Sequence, residues 1–149
     1  DSLRMQSRGF PVHEVVNIGK EIKMLYTGLA AAEDLVVKRP DLARRFIRAT
    51  VKGREFVKRN KAQSLALGKK YDKAPDDVRS ADYDATMEMM TADGTEDLET
   101  QKSDIEIAKR MLGIQKDVAT EQIFDFRFTR EVYKELRELG WERALRSSK

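Results

Sequence analysis

Apolar residues recur at helical spacing along most of the chain, and prolines, glycines and capping residues cut that rhythm into separate elements. Leu42, Phe46, Ala49, Gly53, Phe56 and Val57 are spaced by four, three, four, three and one, which predicts the buried face of a long helix from Asp41 to about Arg59. Pro40 pushes its predecessor out of the α region, so a shorter helix over Glu33–Val37 should end at Lys38-Arg39. Pro40 and Asp41 suit the first turn of the next, where N–H groups lack partners and the dipole favours an acid. A shorter helix is predicted from Lys61 to Lys70, with Leu65, Leu67 and Tyr71 as its apolar content. Pro75 should open another, with Asp76 and Asp77 in its first turn and Val78, Ala81 or Tyr83, Ala85 and Met89 inward.

Asp93-Gly94 reads as a turn, and Thr95 as the N-cap of a helix through Leu112. Its stripe is Leu98, Gln101, Ile105, Ala108 and Leu112, and Gly113 is a fitting stop. Residues 120–128 alternate Ile123, Phe124, Phe126 and Phe128, a pattern open to an extended run or a helical turn. Thr129 is expected to cap a last helix that turns Val132, Leu136 and Leu139 inward and ends at Gly140. Two front segments read instead as strands: residues 10–18, rich in β-branched side chains, and Met24–Ala30. The expected fold class is therefore mainly α with two short N-terminal strands.

Composition narrows this modestly. The chain has 149 residues, 40% hydrophobic and 37% charged, enough for one domain with a real core. It has no cysteine, which excludes a disulfide framework and thiolate chemistry. No apolar run approaches the ~20 residues that span a bilayer, and the start, Asp1-Ser2-Leu3, reads as processed or trimmed rather than as a signal peptide. A net charge of +3 does not by itself imply a polyanionic partner. Charge is unevenly spread, however: residues 38–61 hold ten basic side chains against Asp41 and Glu55, and residues 76–106 hold eleven acidic ones against Arg79 and Lys102.

The order of motifs resembles a known family. Tyr26-Thr27-Gly28-Leu29 with its small-residue run, Lys38-Arg39-Pro40-Asp41, Arg44-Arg45-Phe46-Ile47-Arg48-Ala49 and Gly53-x-x-Phe56-Val57-x-x-Asn60 are similar to the return segment of ABC-importer substrate-binding proteins. The closest branch handles nitrate, sulfonates, taurine and thiamine-pyrimidine precursors. Ile123-Phe124-Asp125-Phe126-Arg127-Phe128-Thr129 followed by Lys134-Glu135-Leu136 looks like that branch's closing motif, so the likeness runs over roughly residues 9–141. It implies the C-terminal half of a two-lobed α/β periplasmic-binding-protein-like fold of type II. Residues 1–30 would end the second lobe and cross back, and residues 31–149 would complete the first lobe, with the preceding half outside these residues. The implied function is capture of a small organic anion or zwitterion for an ABC permease, in an exported, periplasmic or extracytoplasmic protein, without covalent chemistry or cofactor. Apolar helix faces deprived of their sheet would each forfeit about 1.5–3 kcal/mol per large side chain, so self-association or a helix-dominated rearrangement is expected.

Tyr26, Thr27 and Gly28 are the candidate ligand-binding residues. The resemblance places them near the cleft, and a phenol, a hydroxyl and a glycine N–H can donate to a solute anion; a strand-to-helix junction needing glycine explains them equally. His13 is the sole histidine, with no second ligand at metal spacing and no triad partner, so no metal site is expected. A related branch makes the thiamine pyrimidine by histidine- and iron-dependent chemistry, and in such an enzyme His13 is the one candidate. Met87, Met89 and Met90 suit a core or a subunit contact. Asp82 and Asp84 fail the calcium-loop pattern because Met87 stands where glycine is required, and no glycine-rich phosphate loop occurs. The basic helix lacks interleaved exposed aromatics and any zinc-finger, RNA-recognition or helix-turn-helix signature, so nucleic acid is not an expected partner. A helical protein-interaction domain with a coincidental amphipathic rhythm is the remaining alternative.

Overall fold

The computed structural model describes residues 2–13, 15–16, 21–22, 24–25 and 27–141. Among them are seven α-helices and one 3-10 turn: α1 (Ser2–Ser7), α2 (Glu33–Lys38), α3 (Pro40–Arg59), α4 (Lys61–Gly68), α5 (Asp76–Met89), α6 (Leu98–Leu112), the 3-10 turn (Thr120–Gln122) and α7 (Arg127–Glu138). The protein is mainly α, as expected. The two predicted strands are not present among the described residues. An isolated strand leaves its N–H and C=O groups unpaired, and no neighbouring strand lies among the described residues to take them. Instead the Val12 N–H closes a tight turn onto the Phe10 carbonyl at 2.9 Å, and Gln6 Nε2 donates to the Val12 carbonyl at 2.8 Å. Val15 and Val16 are left 96% and 60% exposed.

Local signals fix the helix ends. The Arg39 N–H bonds back to the Leu35 carbonyl, closing α2, and α3 starts at Pro40. Pro75 stands one position earlier than predicted, at the N-cap of α5 with extended ψ, because the residue with no N–H to offer is also suited to the turn that leads in. Gly113 and Gly140 close α6 and α7 in the left-handed region, at φ 68° and 63°. Two caps differ from expectation. The side chain of Asp97, not Thr95, accepts the Thr100 N–H at 2.8 Å and starts α6, while Thr95 turns back to Asp93. Helix α7 begins at Arg127, so Thr129 lies inside it; Asp125 accepts the Arg127 N–H at 3.1 Å and does the capping from outside.

The chain divides into two units. The first comprises Asp1–Asn17 and Lys52–Met90. There α4 packs on α5, as does α1, and Val78 is buried with Arg79 beside it. The Tyr83 hydroxyl donates to the Val57 carbonyl at 2.6 Å, and Lys61 pairs with Asp84 at 2.6 Å while lying over the Tyr83 ring. Arg4 bridges Asp72 and Asp82. Of the predicted inner face of α5, Val78 and Tyr83 face inward, whereas Ala85 and Met89 are exposed.

The second unit comprises Ile18–Val51 and Thr91–Lys149. Its core is Val51, Val132, Tyr133 and Leu136, with Ile47 and Trp141 packed alongside; Val132 is fully buried. Leu139, predicted inward, is 70% exposed. The α3 face is turned by about one residue from the predicted one: Ala43, Ile47 and Val51 face the core and Phe46 is 58% exposed. Apolar packing of Ile47 and Val51 against α7 accompanies this register, and ion pairs flank it. Arg48 donates to Glu135 at 2.6 Å and Arg44 approaches Glu131 and Glu135 at the edge of that contact.

Candidate functional site

A half-open concavity among the described residues is lined wholly by the second unit. It is a cavity of about 650 Å³, within the size range of small-molecule sites. One wall comes from the chain that leads into α6. Thr95 N–H and Oγ1 both bond Asp93 Oδ1, at 3.0 and 2.7 Å, and Gly94 takes φ 74°, so the turn is fixed before Asp97 caps the helix. Glu96 sits between turn and cap. Its backbone carbonyl accepts a bond from Gln101 Nε2 at 2.8 Å, and Leu98 and Gln101 continue the lining.

The opposite wall is the segment predicted to be either extended or helical, and it is helical at its start. Gln122 Oε1 accepts the Ala119 N–H at 2.9 Å and braces the 3-10 turn. Phe124 and Phe126 then stack, with ring centroids 6.0 Å apart and planes inclined by 16°. Asp125 binds Arg127 twice, through its N–H and through Nε at 2.9 Å, which leaves that acid and base mutually neutralised. Arg127 also lies over the Phe128 ring. Arg130, one helical turn on, reaches the lining with no ion pair to a described residue.

Glu96 is the electrostatically distinctive group. Half-burial, and then the nearby carboxylates of Asp97, Asp104 and Asp93, hold its carboxyl above the usual glutamate range. No described residue donates to that carboxyl or pairs with it. The three neighbours by contrast each accept a backbone N–H: Asp97 from Thr100, Asp93 from Thr95 and Asp104 from Leu25.

The residues singled out from the sequence lie elsewhere. Tyr26 falls outside the described residues. Thr27 and Gly28 are exposed, on an irregular segment that leads to α2, and neither lines the cavity. That segment is tied down just before them, where the Leu25 N–H donates to both oxygens of Asp104 at 3.1 and 3.3 Å. A Cβ on Gly28 would meet Leu25 Cδ2 at 3.3 Å, a tight contact with the end of that side chain. His13 is exposed, and the described residues contain no group of three metal-ligating side chains. Met87 and Met90 are half-buried and Met89 is exposed.

The basic segment is not a bare cationic stripe. Lys38 pairs with Asp34, Arg44 and Arg48 with acids of α7, Lys61 with Asp84, and Arg54, Lys58 and Arg59 surround the buried Glu55. No described helix is long and apolar enough to cross a membrane.

The sequence signal that could have located the cavity was the closing motif itself, since Phe124-Asp125-Phe126-Arg127 forms one of its walls. Glu96 carried no such signal, because one carboxylate within an acidic run looks like its neighbours. The chain matches no protein-family profile, no curated protein and no solved structure.

Proposed function

We propose that the chain is part of a solute-binding protein of an ABC importer, one that captures a small organic anion or zwitterion outside the cytoplasm and passes it to a permease. One observation carries this reading. Among the described residues, large apolar side chains left exposed outnumber the buried apolar ones, and they lie on successive elements: Leu29, Val37, Phe46, Leu98, Leu112 and Leu139 are all more than half exposed. Isolated exposed apolar residues are normal, but so many exposed large ones beside so small a fully buried core suit a surface that is built to be covered. In the importer reading the cover is the sheet of the lobe that these helices would clothe.

The order of elements supports the same reading. The short α2, the break at Arg39-Pro40, the long α3 and the Phe-Asp-Phe-Arg wall before α7 follow the order of the resembling motifs, although the small-residue segment ahead of them is irregular among the described residues rather than a strand. Solute would be held by Thr27 and Gly28 with Tyr26, through N–H and hydroxyl donors, and would stabilise a closed form by its higher affinity for that form. No covalent step is involved.

The test is the open reading frame that encodes these residues. Its product should contain an α/β lobe ahead of residue 1 and should gain thermal stability from one member of a panel of sulfonates, nitrate, pyrimidines and aromatic acids. A solute at a hundred times its Kd contributes about 2.7 kcal/mol. A reading frame without such a lobe, whose product responds to no solute, would leave the helical protein-interaction domain as the better reading.

A further inference from the structure

We infer that the cavity between the Glu96 turn and the Phe124–Phe126 stack binds a small amino-acid zwitterion with an apolar side chain, its ammonium on Glu96 and its carboxylate on Arg130. This does not rest on the importer reading, because the cavity is complete within the second unit and lies apart from Thr27 and Gly28.

The charge inventory of the walls selects the ligand. Asp125 and Arg127 satisfy each other, with the Asp125 oxygens on the Arg127 N–H and Nε. That leaves the half-buried Glu96, the exposed Glu121 and the exposed Arg130 on one lining, none in an ion pair with a described residue, so that Arg130 is its one base without an acid partner. An acid and a base that line one concavity without pairing are answered by a molecule that carries both charges. A simple anion would meet Glu96, and a simple cation would meet Arg130. The second acid, Glu121, tells further against a plain anion. On the same lining, the half-buried stacked rings of Phe124 and Phe126 and the side chain of Leu98 offer apolar surface to a hydrocarbon group.

Calorimetric titration of the full chain with L-phenylalanine, and with phenethylammonium and 3-phenylpropionate as single-charge controls, tests this. Phenylalanine should bind about tenfold more tightly than either control, as one charge-assisted contact is worth at least that factor. Glu96→Gln should lower phenylalanine affinity about tenfold without weakening 3-phenylpropionate, and Arg130→Gln should do so without weakening phenethylammonium. This crossed pattern cannot come from a variant that merely unfolds. Absence of phenylalanine binding, a control that binds as tightly as phenylalanine, or variants that weaken both controls alike would each overturn the proposal.

Discussion

A Cβ built on Gly68, the last residue of α4, would lie 3.2 Å from Cδ of Arg79. Arg79 cannot easily give way. Its guanidinium donates to Asp76 and to the carbonyls of Asp72 and Ala74, each at 2.7 Å, and the residue is only 9% exposed. One side chain thus clamps the whole connection between α4 and α5, and glycine is what lets the helix end come close to it. Alanine would otherwise favour the helix by up to about 1 kcal/mol. Gly68→Ala should therefore lower stability in the native chain and raise it in an Arg79→Ala background. Denaturant titration of the four proteins in the cycle reads this directly, and the same sign in both backgrounds would rule out the clamp.

The titration behaviour of three carboxyls has opposite signs. Glu96 is held above its ordinary range, first by half-burial and then by Asp97, Asp104 and Asp93. The fold therefore penalises its ionised form; the penalty is present at neutral pH, is relieved as pH falls through the raised value, and is gone below the unfolded-state value. Glu96→Gln should raise Tm at neutral pH, and the gain should vanish in acid. Asp72 is held below its ordinary range chiefly by the Ala74 N–H, and Asp76 chiefly by its bond to Lys69. Their contributions are present above the unfolded-state value and disappear as pH falls through the lower folded values. Asp72→Asn should accordingly lower Tm at neutral pH and have no effect in strong acid. Thermal melts across the acid range check both.

The start of α6 offers a direct comparison of two capping candidates. Asp97→Ala removes the acceptor of the Thr100 N–H and should cost about 1 kcal/mol, whereas Thr95→Ala, outside the helix, should cost only a few tenths. Equal losses in a chemical melt would show that the cap is shared.

Punctuation was readable in the sequence, and faces were less so. Pro40, Gly113 and Gly140 marked real helix ends because their constraints are local. The buried side of α3 was not readable, because Leu42, Phe46 and Ala49 compete with Ala43, Ile47 and Val51 for the same periodicity. What decides between them is packing and pairing with α7, more than eighty positions away, where Val51 and Ile47 meet Val132, Tyr133 and Leu136 and Arg44 and Arg48 meet Glu131 and Glu135. Strand propensity at residues 10–16 was real but needs a pairing partner, which no local pattern supplies. The cavity needs residues 96–101 and 120–130 together, and that pairing is visible only after folding.

The register of α3 can be checked by two truncations. Phe46→Ala, on the exposed side, should change stability by no more than about 0.5 kcal/mol. Val132→Ala, at the fully buried centre of the second unit, should cost about 2 kcal/mol through its lost contacts and cavity. A Phe46 loss equal to that of Val132 would return the core to the face first read from the spacing.

The decisive measurement for the uncovered apolar surface is sedimentation velocity of the 149-residue chain over a range of concentrations, with binding of an apolar fluorescent dye followed in parallel. Helices built to cover a sheet should give concentration-dependent association and strong dye binding. A monomer at every concentration that ignores the dye would contradict it.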